Sequence, residues 1–211
     1  MQRRAIKSAI VNQITVLTGG PGTGKTTVTK GIIEALRNHS YTILGGAPTG
    51  KAAKRMSEVT GLNAMTIHRL LQYNPQMGYQ KNKDNPFWED VLIIDEMSMV
   101  NITLMSHLCD AISERTRIIL IGDMNQLPCI GPGNILRDVI ETNGVPVVKL
   151  TEIFRQAQDS DIIKNAHKIN HGEMPICSNS KTSDFFFIPK YNDYYLKDLY
   201  NIFLKWSLGI H

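Results

Sequence analysis

Long apolar runs are missing from this chain of 211 residues, and none approaches the roughly 18 residues that a membrane-spanning helix needs. The N-terminus carries two arginines with no apolar stretch behind them, so no secretory signal is expected. Cysteine is scarce. Cys109, Cys129 and Cys177 are widely spaced with no C-x-x-C pair, which argues against a zinc site or a disulfide framework and for a reducing cytoplasmic setting. A strong excess of one charge is also lacking: a net +4 suits a polyanionic partner but is ordinary for soluble proteins. With 42% hydrophobic residues, the chain can bury one substantial core and a small appendage.

What is present is concentrated first in residues 14–27, ITVLTGGPGTGKTT. Ile14, Val16 and Leu17 form a short β-rich run, and the glycines that follow close on Gly24-Lys25-Thr26, the end of a Walker A sequence that starts at Gly19. A glycine-rich turn is often only a loop. This one keeps the full spacing, follows an apolar strand and precedes a helix-permissive run to Leu36, so it reads as a phosphate cradle made of Gly20, Pro21, Gly22, Thr23, Gly24, Lys25, Thr26 and Thr27. Gly20, Gly22 and Gly24 can take positive φ, which turns backbone N–H groups inward on phosphate oxygens. Lys25 brings a mobile positive charge, and the Thr26 hydroxyl is placed for a Mg²⁺ that bridges the outer phosphates.

The second strong signal is residues 91–96, VLIIDE, a fully apolar strand that emerges on two acids. Packing explains the apolar run but not the acids. Asp95 suits the Mg²⁺ and Glu96 the water that attacks the γ-phosphate, as in a Walker B site. A later strand, residues 117–121, ends in GDMNQLP, where Gln126 is a candidate γ-phosphate sensor. A fifth strand, residues 145–150, leads to Arg155, read either as a surface ion pair or as a charge that stabilises the transferring phosphate.

Other segments are weaker. Residues 2–12 form a short amphipathic helix that places the Gln2 amide where it could read an adenine edge. Residues 41–47 form a strand opening into Pro48, Thr49, Gly50 and Lys51; the cations Lys51, Lys54 and Arg55 are a solvated helix face or phosphate contacts. Residues 66–71 form a helical turn with Thr66 and His68, the histidine being readable as a polar core edge. Residues 72–88 look like a polar excursion or small hairpin. Helices are expected over residues 101–112, 133–141, 160–170 and 194–206. Residues 185–188, led by Phe185-Phe186-Phe187, read as a buried strand before a base-stacking surface. The fold expected is α/β, a P-loop NTPase with a mostly parallel sheet and helices on both faces.

GGPGTGKTT, APTGKAAKRM, TIHRLL, LIIDEMSMV, GDMNQLP and IFRQ, in this order, resemble the first motor domain of superfamily 1 DNA helicases, most closely the RecD-like branch that includes the exodeoxyribonuclease V alpha subunit. The likeness spans nearly the whole chain and implies that the sheet is RecA-like. It implies an ATP-dependent DNA helicase that couples Mg-ATP hydrolysis to 5′ to 3′ movement on single-stranded DNA and to duplex unwinding in repair or recombination. It also implies that Gln2 reads adenine, that Gln126 couples the nucleotide to DNA, and that Arg155 is an arginine finger. Pro48, Thr49, Gly50, Lys51, Thr66 and His68 would lie on DNA. Two positions depart from the family: Asn125 stands where GDxDQLP is commoner, and Asn101 where aspartate is usual.

Residues 1–190 are expected to form this motor domain and residues 191–211 a helix leading towards a second RecA-like domain. The chain has no second-domain motifs after Arg155 and no nuclease-like cluster of acids, so it is expected to be one motor half, acting alone or with subunits of a nuclease complex. Two other readings fit the phosphate loop. One is an ATP-binding module with little turnover of its own; the other is a P-loop phosphotransferase, which leaves the acid pair and Gln126 unexplained.

Overall fold

The computed structural model of the chain describes residues 1–152, 159–177 and 183–187. Two compact units divide the chain, Met1–Asp159 and Ser160–His211. The expected helix at residues 194–206, the reach of the domain to residue 190, and Arg155 lie outside the described residues.

In the first unit the order is α1 (Gln2–Val11), β1 (Ile14–Gly19), α2 (Lys25–Asn38), β2 (Ile43–Ala47), α3 (Gly50–Thr60), β3 (Ala64–Thr66), α4 (Ile67–Leu70), β4 (Tyr73–Asn74), β5 (Gly78–Tyr79) and β6 (Val91–Ile94). A 3₁₀ turn (Met97–Met99), α5 (Ile102–Asp110), β7 (Arg117–Gly122), α6 (Ile135–Glu141) and β8 (Val147–Leu150) follow. Six strands make one sheet in the order β3-β2-β6-β7-β1-β8, and every pairing in it is parallel. The excursion is a hairpin of β4 and β5, with Tyr73 opposite Tyr79.

Period-two alternation sorts the strand residues onto two cores. Leu17, Val91, Ile93, Ile119, Ile121 and Val148 pack with α1, α2 and α3, through Ala5, Ala9, Val28, Ile32, Ile33, Leu36 and Met56. Val16, Leu92, Ile94 and Leu120 face the other way, onto α4, α5 and α6, through Ile67, Leu70, Leu104, Leu108 and Leu136. Burial on both faces explains why β6 is apolar at every position, as a parallel sheet covered on both sides requires. Because all six strands run the same way, the loops after β1, β2, β6 and β7 gather at one edge of the sheet, the geometry in which open α/β sheets bind ligands.

Two expectations need correction. The short strand β3 was not among the expected elements; it is only three residues long, too few for a pattern to show. Residues 185–187 form no strand: Phe186 and Phe187 are 49% and 44% exposed, and no ladder engages this run among the described residues. The second unit keeps its expected helix, α7 (Asp161–Asn170), capped by Ser160, whose Oγ accepts from the Ile163 N–H. Asp184 ties residues 183–187 to that cap by accepting from Ser160 Oγ and from the Asp161 and Ile162 amides.

Candidate functional site

β1 delivers the chain into the phosphate loop, and α2 leaves it. Gly22 and Gly24 have φ of 74° and 80°, the left-handed region that glycine tolerates, so the loop can wind its amides to one side. Gly20, expected to do the same, does not. Gly19 is required by close approach: a Cβ there would lie 2.6 Å from Thr23 Oγ1 and 2.9 Å from the Leu150 carbonyl oxygen. Buried Thr23 pins the loop by donating to the Gly20 carbonyl at 2.8 Å. No side chain caps the N-terminus of α2 and no acid lies in its first turn, which leaves an electropositive helix end facing the loop.

A cavity of about 870 Å³ opens beside this loop, lined by Gly20 to Thr27, Thr29, five residues of α3, Asp95, Glu96, Ile121 and Gln126. Lys25 Nζ donates to the Gly19 and Gly20 carbonyl oxygens at 2.6 and 3.1 Å. Burial pushes the Lys25 ammonium below its ordinary pKa, and the carboxylates of Asp123, Glu96 and Asp95 pull it back up. The same environment raises both acids. For Asp95 burial dominates, opposed by the Glu96 N–H that donates to Asp95 Oδ1 at 2.8 Å and by Lys25 and Arg55; for Glu96 burial is joined by repulsion from Asp95. Glu96 itself adopts φ 54°, ψ 43°, a left-handed conformation uncommon outside glycine. A non-glycine residue held there at the start of the 3₁₀ turn is backbone strain stored at a site of clustered charge.

Arg55 is the residue that the sequence undervalued. The α3 residues lining the cavity are Ala52, Arg55, Met56, Val59 and Thr60, a helical i, i+3, i+4, i+7, i+8 stripe. All three cations are exposed, but Arg55 lies on the stripe, Lys54 pairs with Glu58 at 3.8 Å, and Lys51 lines neither this cavity nor the one beside Pro48. The periodicity was readable in advance, but which side of α3 faced the loop was not.

Pro48, Thr49 and His68 instead line a second cavity of about 620 Å³, with Met99, Asn101, Leu104, Leu127, Pro128, Cys129 and Ile130. Gln126 lines both cavities. Thr49 and Thr66 are helix caps, Thr49 Oγ1 accepting from the Ala52 N–H at 3.2 Å and Thr66 Oγ1 from the Arg69 N–H at 3.3 Å. Exposed His68 sits edge-on to Tyr73 with ring centroids 6.0 Å apart, so it belongs to an aromatic cluster and not to a core edge. Gly50 is exposed at the start of α3. Gln2 is exposed at the start of α1 and does not line the cavity beside the phosphate loop. The Asn101 departure has a simple resolution: its Oδ1 caps α5 by accepting from the Leu104 N–H at 2.9 Å, which an aspartate oxygen would do equally. At the other departure, the Asn125 amide donates to Asp123 Oδ1 at 3.0 Å, a bond made by backbone and so open to either residue.

The AAA_30 family model, described as an AAA domain, matches residues 1–185. The chain is 44% identical over 164 residues to the ATP-dependent RecD2 DNA helicase of Deinococcus radiodurans, covering 78% of this chain and 22% of that protein. It is 36% identical over 184 residues to the RecBCD enzyme subunit RecD of Mycolicibacterium smegmatis, covering 74% of this chain and 33% of that one. The chain thus spans between about a fifth and a third of these curated relatives. The crystal structure of Pif1 helicase from Candida albicans superposes with a TM-score of 0.63 at 21% identity, over 98% of this chain and 54% of that one, a likeness of fold. Together with the all-parallel sheet, this makes the fold that of a RecA-like P-loop NTPase.

Proposed function

The chain belongs to the AAA_30 family, a family of nucleotide-binding domains, and on that footing we propose that it is the first motor domain of a RecD-like, ATP-dependent DNA helicase. One observation carries the reading: the phosphate loop, the acid pair and Gln126 line one cavity, and Gln126 also lines the neighbouring apolar one. ATP fits the first cavity. Amides of Gly22 to Thr27 and the α2 terminus bind phosphate oxygens and Lys25 neutralises the outer phosphates, while Gln2, which does not line this cavity, is assigned adenine by resemblance alone.

The donor set suits Mg²⁺, since Thr26 and Asp95 both line the cavity and offer the hard oxygen ligands that this ion takes. When bound, Mg²⁺ supplies charge neutralisation between the outer phosphates. Glu96 takes a proton from the attacking water, and burial together with Asp95 holds its carboxyl above the ordinary range, which strengthens it as a base. Gln126 senses the γ-phosphate, Arg55 adds positive charge to the cavity, and Arg155 is assigned the finger role by resemblance alone.

Single-stranded DNA is proposed to cross the sheet edge at Pro48, Thr49, Gly50, Lys51, Thr66 and His68, with movement 5′ to 3′. The motor domain is proposed to extend over residues 1–190. The parent protein is proposed to act in DNA repair or recombination, alone or beside nuclease subunits; the mycobacterial relative is named as a subunit of the RecBCD enzyme. No helix among the described residues is long and apolar enough to cross a membrane. A cytoplasmic site of action is proposed with the rest.

A second reading has its own support. The chain spans 22% of the Deinococcus protein, and an arginine supplied from another domain is worth about three powers of ten or more in rate. These residues alone would then bind Mg-ATP with little turnover. Calorimetric titration with Mg-ATP, paired with phosphate release in the presence and absence of oligothymidylate, tests both. Binding that Lys25→Ala abolishes, with slow release that oligothymidylate accelerates, supports the motor domain. No binding sinks both readings, and brisk release indifferent to DNA sinks the helicase.

A further inference from the structure

We infer that Ser98 is a positioning residue for Gln126, holding its carboxamide oxygen so that the amide nitrogen is left to meet the nucleotide; this rests on the motor-domain reading. Ser98 is 7% exposed, in the 3₁₀ turn that begins immediately after Glu96. Its hydroxyl donates to Gln126 Oε1 at 3.0 Å, across 28 residues of sequence. Gln126 is otherwise on an exposed stretch whose neighbours Leu127 and Ile130 are 88% and 100% exposed. A long amide side chain on such a stretch would sample several rotamers without a partner.

The backbone beneath it is fixed from another side. The Met124 amide donates to Thr18 Oγ1 at 3.3 Å, the Asn125 amide to Asp123 Oδ1 at 3.0 Å, and the Gln126 amide to the Asp123 carbonyl at 3.2 Å. These bonds set where the loop lies. They do not set the carboxamide, for which Ser98 is the hydrogen-bond partner among the described residues.

The chemistry of the pair gives it direction. A serine hydroxyl that donates to Oε1 fixes which end of the carboxamide is engaged, and Nε2 keeps two donors for an acceptor such as a phosphate oxygen. The same turn carries Glu96: the Met99 amide donates to the Glu96 carbonyl at 3.0 Å, and the Val100 amide to the Met97 carbonyl at 3.1 Å. Sensor and base are therefore tied to one short element, so a shift of either is felt by the other. Because Gln126 also lines the apolar cavity, the serine holds the group common to both.

The test is a double-mutant cycle in turnover together with the side-chain amide resonance of Gln126. Ser98→Ala is expected to lower the oligothymidylate-stimulated turnover of Mg-ATP about fivefold, the worth of one ordinary hydrogen bond, with KM changed less than about twofold. In a Gln126→Ala background the same substitution is expected to do nothing further. Ser98→Thr, which keeps the hydroxyl, restores the rate. In ¹⁵N spectra the Gln126 amide pair, assigned by its loss in Gln126→Ala, should be dispersed in the native chain and collapse to the position of a free glutamine in Ser98→Ala. A pair unmoved by Ser98→Ala, or an equal loss of rate in both backgrounds, overturns the positioning role and leaves the motor-domain reading standing. Failure of the unaltered chain to bind Mg-ATP overturns that reading, and the inference with it.

Discussion

The two cavities that meet at Gln126 are built from opposite materials. One is lined by Lys25, Arg55, Asp95 and Glu96, with pKa values displaced by burial for the lysine and both acids; the other is lined by Met99, Leu104, Leu127, Pro128 and Ile130. The first gathers partly buried charges of both signs beside a helix N-terminus, and this is what phosphate chemistry needs. The second offers apolar surface with a few polar caps, which suits the faces of bases more than their phosphates. The difference shows how one sheet edge can carry two unlike surfaces: parallel strands deliver loops of any composition to the same place, and each loop keeps its own chemistry.

The sharpest way to separate the cavities is Glu96→Gln. Turnover of Mg-ATP is expected to fall at least about a hundredfold, with calorimetric affinity for Mg-ATP changed less than about twofold, because a general base acts only in the transition state. On the apolar side, Leu127→Ser combined with Ile130→Ser should weaken oligothymidylate binding about tenfold, as partial burial of two such side chains implies, while Mg-ATP affinity holds. Fluorescence anisotropy of a labelled oligonucleotide measures it, and an equal loss of Mg-ATP affinity would break the distinction between the two cavities.

Smaller effects test the frame. Asn101→Ala removes the cap of α5 and should cost about 1 kcal/mol in urea denaturation, whereas Asn101→Asp should keep that stability. The smallest effect is one of pH. The Glu96 carboxyl is raised in the fold, so the native state holds its proton more tightly than the unfolded chain, and stability falls as pH rises from the ordinary carboxylate range through that raised value. Glu96→Gln, which mimics the protonated form, should therefore melt a few degrees higher than the native chain at pH 8, roughly as a modest gain in stability predicts. The gap should close as pH drops towards 4. A gap that widens on acidification would show that Glu96 is stabilised as an anion, contrary to its burial.

Much of the charged cavity was legible beforehand, because its chemistry is written in contiguous stretches. The phosphate loop needs glycines at fixed spacing, and an apolar strand ending in Asp95 and Glu96 has no packing explanation. The apolar cavity was hardly legible at all. Met99, Leu127, Pro128 and Ile130 look like ordinary loop residues, and only their meeting with Pro48, Thr49 and His68 makes them a surface. Ser98 shows the same limit: a serine after an acid pair signals nothing until Gln126 arrives from 28 residues away. The three phenylalanines from Phe185 misled because a short apolar run carries no information on whether another strand is there to pair with it.

By itself the sequence determined the strand-loop-helix cradle, the two acids, and the alternation that splits the strands between two cores, since each is set by local sterics and by periods of two or 3.6 residues. Only the tertiary structure decided that β7 lies between β6 and β1, which brings Gln126 to both cavities, that α3 turns Arg55 and not Lys51 towards the phosphate loop, and that Ser98 holds the glutamine. Strand order and helix rotation depend on how two whole faces of a sheet are covered, a sum over many weak contacts that no single stretch of chain encodes.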